Sequence, residues 1–149
     1  MKRRNMNRQV FYRLALLCGA VLAVATVGWA RTYHMTSTKG VPAAAADVIV
    51  GNLWHRGKDK NGNTQFVLKA KHLAKPGLLT PPANSYVVWL QQEGSQPQSQ
   101  GELKIGNNLK GELKATTPLK NFNVFITAET DSQTKTPSDQ VILQATVQQ

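Results

Sequence analysis

The chain has 149 residues, so after any leader is subtracted there is room for one modest domain around one hydrophobic core. Its net charge of +10 would suit a nucleic-acid-binding protein, but five Lys and Arg and no acid stand within the first thirteen residues. From Asp47 onward, 11 basic and 8 acidic residues leave only +3. Lys and Glu are mixed in that part and no basic cluster is interleaved with aromatic residues, so we predict no nucleic-acid partner.

Residues 1–30 have the pattern of an export leader. The basic segment is followed by LALLCGAVLAVATVGWA, residues 14–30, which holds seventeen residues without a charge. This length lies between the apolar region of a cleaved signal peptide and the roughly 20 residues of a spanning helix, so a signal peptide and an uncleaved inner-membrane anchor both stay open. Small residues in Gly28-Trp29-Ala30 favour cleavage before Arg31. Either way, the rest of the chain is expected outside the cytoplasm, periplasmic or secreted.

Cys18 is the only cysteine, and it lies inside the apolar run. Leu16 and Leu17 precede it, where a lipoprotein signal would carry a small residue, so lipid attachment is disfavoured. A chain cleaved at Arg31 would contain no cysteine at all. The domain is therefore expected to fold without disulfides, and thiolate metal sites and cysteine nucleophiles are excluded from it.

The segment after the leader, residues 31–46, is rich in Thr, Ala, Gly and Pro, has no sustained apolar period and is predicted to be a linker. Residues 47–149 are predicted to form the domain. Their patterns have period two, as in TQFVLKAK, where Phe66, Leu68 and Ala70 share one face. About seven such segments, with no helix after the leader, predict an all-β fold. We expect an immunoglobulin-like antiparallel β-sandwich of about seven strands, preceded by an N-terminal signal or anchor helix.

The segment SYVVWL, residues 85–90, is apolar on both faces. Tyr86, Val88 and Leu90 would face one way, and Val87 and Trp89 the other. This pattern predicts a central strand covered on both sides, with Trp89 in the core and not a stacking platform for a ligand. The chain is then expected to turn over residues 94–100, to form a strand over residues 102–105, and to turn tightly at residues 106–108.

Several short motifs in order resemble the extracytoplasmic C-terminal domain of anti-sigma-K-type anti-sigma factors. They are TPPANSYVVWLQQEG, a Gly-bearing hairpin, NFNVFITAET and TPSDQVIL. The positions that match the family's pattern are Tyr86, Trp89, Leu90, Thr127, Glu129, Pro137 and Ser138. The resemblance covers roughly the last hundred residues and implies the fold and the extracytoplasmic side of the membrane.

Two departures limit what the resemblance implies. Asp139 stands where the family commonly has Gly, and thirteen residues before the apolar run leave no room for its cytoplasmic sigma-binding domain. Sigma binding is therefore not carried over. Thr127 and Glu129 should share a face with Phe125; we expect Glu129 to satisfy a strand edge or loop, with partner binding as the alternative.

No metal or catalytic site is predicted. His34, His55 and His72 are scattered through the linker and the two sides of the first hairpin, and no HxH or HxxxH spacing joins them. Trp54, beside His55, is the more credible exposed aromatic. There is no GxSxG elbow, HExxH helix or Gly-rich loop before a helix, so we predict neither an enzyme nor a cofactor.

Three classes of function follow. The leading hypothesis is a noncatalytic extracytoplasmic module of the bacterial cell envelope that contacts an envelope protein or a cell-wall component. The alternative is the sensory or regulatory domain of an anti-sigma-type signalling system. The second alternative is a carrier of a small ligand or a metal.

Overall fold

Eight β-strands and one short 3-10 helix form in the computed structural model, which describes residues 30–38, 40–51 and 61–149. The strands are β1 (Arg31–Ser37), β2 (Ala45–Val50), β3 (Thr64–Lys71), β4 (Ser85–Gln91), β5 (Gln98–Glu102), β6 (Gly111–Thr117), β7 (Phe122–Glu129) and β8 (Val141–Val147). The 3-10 helix, Pro76–Leu78, lies between β3 and β4. The predicted leader helix, Trp54 and His55 lie outside the described residues. Within the described ranges, no helix has the length and hydropathy needed to cross a bilayer.

The strands pair in the order β5-β4-β7-β8-β1-β2-β3-β6, and every pair is antiparallel. The predicted all-β class is therefore confirmed. The sheet is one continuous surface nearly closed into a barrel, instead of the two separate sheets of the predicted immunoglobulin-like sandwich. The difference arises at β1, because its first five residues pair with β2 and its last two pair with β8, which joins the two halves.

β1 occupies the segment for which we predicted a linker. The sequence shows no apolar period there because Met35 is the only buried residue of the seven. Its backbone is nevertheless paired, from Arg31 opposite Val50 to Ser37 opposite Leu143. Backbone hydrogen bonds to two neighbours, and not side-chain burial, account for the strand, so the strand count is eight and not about seven.

The core lies on the inner face of the nearly closed sheet. β3 contributes as predicted, with Phe66, Leu68 and Ala70 at most 2% exposed. The Phe66 and Phe122 rings meet with centroids 6.0 Å apart, a spacing typical of packed aromatic pairs. The larger inner side chains from the other strands are Met35, Val48, Val50, Tyr86, Val88, Leu90, Val124, Ile126, Ile142, Leu143 and Val147.

β4 is buried on both faces, as the sequence predicted. Six of its seven residues are buried, and Trp89 is fully covered. Tyr86, Val88 and Leu90 belong to the inner core, whereas Val87 and Trp89 point to the outer face of the sheet. A second layer must therefore lie outside β4.

Two strands differ in detail from the sequence prediction. β5 covers Gln98–Glu102 and not residues 102–105, because Leu90 pairs with Gln98 and Val87 with Glu102. This edge strand has no buried side chain, so the apolar alternation begins only after it, at Leu103. In β8, strict alternation would put Val141 and Leu143 on one face, but a register shift beside Ile126/Thr127 places Val141 opposite Thr127 and Leu143 opposite Ile126.

The predicted tight turn at residues 106–108 is present and is closed by two backbone hydrogen bonds. The Gly106 amide donates to the Lys110 carbonyl over 2.9 Å, and the Leu109 amide donates to the Gly106 carbonyl over 3.0 Å. The residue with left-handed backbone is Leu109, with φ of 58°, and neither asparagine of the turn.

Candidate functional site

A buried chain of hydrogen bonds links β4, β7 and the segment between β7 and β8. The Trp89 indole N–H donates to Thr127 Oγ1 over 2.8 Å, and the Thr127 hydroxyl donates to Glu129 Oε1 over 2.5 Å. The Ser138 backbone amide donates to the same Oε1 over 2.8 Å. Trp89, Thr127 and Glu129 are each at most 5% exposed. We call these four residues the buried polar chain.

The donor and acceptor roles agree along the whole buried polar chain. An indole N–H can only donate, so the Thr127 oxygen accepts and its own proton is free to bond the carboxylate. Glu129 Oε1 accepts hydrogen bonds from both the Thr127 hydroxyl and the Ser138 backbone amide. Because buried polar groups without partners are costly, the arrangement stabilises the fold only as a complete set.

The segment 130–140, which we call the covering segment, forms the outer layer over β4. At one end, Ser138 bonds β7 through Glu129 and through the Ala128 carbonyl, to which its hydroxyl donates over 2.9 Å. In the middle, residues 132–135 line a cavity of about 390 Å³ together with residues 97–99 and Gly101, at the edge formed by β5. Since β4 lies between β5 and β7, the segment crosses β4. This crossing accounts for the burial of Val87 and Trp89.

The seven positions of the family resemblance are thus divided between two layers. Trp89, Thr127, Glu129 and Ser138 come together in the buried polar chain, and Pro137 precedes Ser138 in the covering segment. Tyr86 and Leu90 lie in the inner core. The Tyr86 hydroxyl donates to the Ala74 carbonyl over 2.8 Å, and burial raises the pKa of this phenol to about 12. These contacts give the matched residues structural roles.

A different surface is open to solvent: the outer face of β4, β7, β8 and β1 beyond the covering segment. Phe125 pairs with Gln144, which pairs with Thr36, and in the next row Gln91 pairs with Asn123, which pairs with Thr146. We call these six residues the amide face. Together with His34, Val124, Val141 and Ala145 they line a shallow cavity of about 590 Å³.

The amide face is partly ordered by its own hydrogen bonds. The Thr146 hydroxyl donates to Asn123 Oδ1 over 2.8 Å, and Gln91 Nε2 donates to the Ser95 carbonyl over 3.0 Å. Gln144 and Thr36 are exposed, and Phe125 is half-buried at the centre. The side-chain amides of Asn123 and Gln144 therefore present donors, and those of Gln91 and Gln144 present acceptors.

The other half of the sheet has a different exterior. On β3 and β6, Lys69 Nζ lies 3.8 Å from Glu112 Oε2, and Lys114 Nζ lies 3.2 Å from Glu112 Oε1. We call β2, β3 and β6 the charged half because their exterior carries these mixed charges, whereas the six residues of the amide face carry none. The contrast makes the amide face the candidate functional site.

The structure also places two of the three histidines. His34 Nδ1 lies 2.6 Å from Asp47 Oδ1 at the margin of the amide face, and His72 lies past the end of β3 with φ of 55°. In the described part of the chain, no three His, Cys, Asp or Glu residues are grouped so as to hold a metal ion.

Sequence reasoning missed the amide face. Its outward positions on β7 and β8 were visible as Asn123, Phe125, Gln144 and Thr146, each between two inward apolar residues. What the sequence did not show was the strand order, which places β7 between β4 and β8 and brings β1 beside β8. A face made of four strands that are not all consecutive cannot be assembled from alternation alone.

Comparisons of the chain with models of protein families, with curated proteins and with solved structures found no match.

Proposed function

We propose that this chain is a noncatalytic binding module that works outside the cytoplasm, in the bacterial cell envelope, and contacts an envelope protein or a cell-wall component. The proposed location depends on the leader pattern: five basic residues and then seventeen residues without a charge. The proposed contact surface is the amide face. The module is anchored in the inner membrane if the leader is retained, and is periplasmic or secreted if it is cut.

The observation that carries the proposal is the uncharged, hydrogen-bonding exterior of β4, β7, β8 and β1. The six residues of the amide face are uncharged, with amides and hydroxyls around one half-buried aromatic ring. Binding sites commonly combine a concave, partly apolar surface with a few placed polar groups. The polar residues of the family resemblance are held inside the fold, so the amide face supplies the free polar groups that a ligand needs.

Site-specific photo-cross-linking in living cells tests this proposal. A cross-linker at Gln144 is expected to yield an adduct with an envelope protein or with cell-wall material. The matched control is a cross-linker at Thr116, which is also exposed on an outer strand face but lies in the charged half. Equal labelling from both positions, or recovery of the protein in the cytoplasmic fraction with Met1 intact, would contradict the proposal.

A second candidate function is the sensory or regulatory domain of an anti-sigma-type signalling system. The observation that favours it is that Trp89, Thr127, Glu129 and Ser138, which carry the resemblance, are connected in one hydrogen-bonded chain. The identity of the Gln144 adduct separates the two candidates. Membrane-bound regulators would favour signalling, whereas cell-wall material or abundant envelope proteins would favour the envelope module.

A further inference from the structure

We infer that the amide face binds a neutral glycan chain. This inference rests on the proposed function, since it names the chemical class of ligand for the surface proposed there. The ligand class follows from three properties of the face: its lack of charge, its supply of both donors and acceptors, and its central aromatic ring.

Charge is the first argument. The chain carries 18 basic and 8 acidic residues, yet none of them belongs to the amide face. The ionisable groups at its margin, His34 and Asp47, are already paired with each other at 2.6 Å. A surface built for a phosphate, a uronic acid or a charged peptide would offer an opposite charge. This surface instead matches a ligand that is polar and uncharged.

Hydrogen-bonding capacity is the second argument. A side-chain amide has two N–H donors and a carbonyl acceptor in one plane, and can therefore bond neighbouring hydroxyl or acetamido groups at the same time. Asn123 is oriented by Thr146, and Gln91 is oriented by the Ser95 carbonyl, so part of the surface is ordered before a ligand arrives. Such preorganisation lowers the entropy cost of binding.

Shape is the third argument. Neighbouring strands lie about 4.8 Å apart, so the four strands make a surface roughly 14 Å wide. Phe125 lies on the row of Gln144 and Thr36, with an amide of the next row, Asn123, two residues away on the same face. An exposed part of an aromatic ring packs well against the C–H face of a sugar ring while the surrounding amides reach its hydroxyls. A long polymer could cross this open cavity without entering an enclosed pocket.

Isothermal titration calorimetry with two neutral tetrasaccharides, one of N-acetylglucosamine and one of glucose, tests the inference on the full chain. Saturable binding of either supports it, and a preference for the first assigns the acetamido group as a contact. We expect Asn123→Ala and Gln144→Ala each to weaken binding by about tenfold or more. Phe125→Leu, which keeps an apolar side chain of similar size, is expected to weaken binding through loss of the ring.

The matched controls are Gln65→Ala and Thr116→Ala, in the charged half, which should leave affinity unchanged. Denaturation midpoints of all variants show that loss of binding is not loss of fold. The inference is overturned if neither sugar binds at millimolar concentration, if the amide-face variants bind as tightly as the parent, or if a polyanionic glycan binds better and is released by salt. If sugars fail while Gln144 still cross-links an envelope protein, the glycan inference falls and the proposed function stands.

Discussion

Trp89 is the largest fully buried side chain of the described fold, and it serves two purposes at once. It fills the layer between β4 and the covering segment, and its N–H begins the buried polar chain through Thr127. Truncation to Ala removes both the buried ring and the hydrogen bond to Thr127. We therefore expect Trp89→Ala to lower the free energy of unfolding by roughly 3 to 5 kcal/mol. Chemical denaturation measures this directly.

Two further variants separate burial from hydrogen bonding at this position. Trp89→Phe keeps an aromatic ring but leaves Thr127 without its donor, and should cost less than Trp89→Ala. Gln96→Ala, at an exposed turn position, should change stability by less than about 0.5 kcal/mol. A Trp89→Ala protein as stable as the Gln96→Ala protein would contradict the assignment of Trp89 as a structural residue.

Tyr86 predicts how stability depends on alkaline pH. Burial raises the pKa of its phenol from 10.0 to about 12, so the folded state binds the proton more tightly than the unfolded state. The resulting stabilisation is fully present below pH 10.0 and is lost as the pH rises toward about 12. Over this window the free energy of unfolding should fall by up to about 1.4 kcal/mol per pH unit from this group.

Tyr86→Phe is the control for that pH dependence. The variant loses the hydrogen bond to the Ala74 carbonyl, which should cost about 1 kcal/mol near neutral pH. It should also show a shallower decline of stability above pH 10.0 than the parent. If the denaturation midpoints of the two proteins decline equally above this pH, the pKa of Tyr86 does not differ between the folded and unfolded states.

The turn between β5 and β6 holds a strained residue. Leu109 has φ of 58°, a left-handed conformation that a residue with a bulky side chain rarely adopts, and the residue is 39% exposed. Asparagine tolerates this conformation, so Leu109→Asn should raise the free energy of unfolding by about 0.5 to 1 kcal/mol. Leu109→Ala removes the side chain but keeps the strain. If Ala stabilises as much as Asn, the backbone explanation is wrong.

How well a strand could be predicted from the sequence depended on whether side-chain burial or backbone hydrogen bonding stabilises it. β3 was predicted with its inner face because burial of Phe66, Leu68 and Ala70 imposes a period of two. β1 and β5 were missed because their backbones pair while few of their side chains are buried. A register shift in β8 displaced Val141 without leaving a sign in the sequence. Every residue type except proline can both donate and accept backbone hydrogen bonds, so strands held by these bonds alone have no side-chain pattern.

The candidate site was predictable only in part for a related reason. Short-range alternation placed Thr127 and Glu129 on one face of β7, but their link to Ser138 requires the covering segment to fold back over β4. The amide face needed still more, because it depends on the order of strands across the whole sheet. Contacts between distant segments set both arrangements, and alternation reports only on neighbours along the chain.

For the whole molecule, β1 is the strand that joins the two halves of the sheet. A fragment that begins at Ala45 would lack β1 and therefore the pairing of β1 with β2 and β8. It would also lack the buried Met35 side chain and the hydrogen bond from the Thr38 amide to the Ile142 carbonyl. We therefore expect residues 30–149 to fold without metal or reducing agent, and residues 45–149 to unfold at a much lower denaturant concentration. Equal midpoints would show that β1 is dispensable.

If the leader is cleaved as proposed, the position of β1 sets the order of cleavage and folding. Arg31, the residue after the predicted cleavage point, is already paired with Val50 in the folded sheet. A peptidase needs free backbone groups around its target bond, whereas backbone in a sheet ladder, although extended, is already hydrogen-bonded to the neighbouring strand. We therefore expect cleavage before Arg31 to precede the folding of β1, and a molecule that folds first to keep its leader. The ratio of anchored to released protein would then depend on the rate of cleavage relative to the rate at which β1 folds.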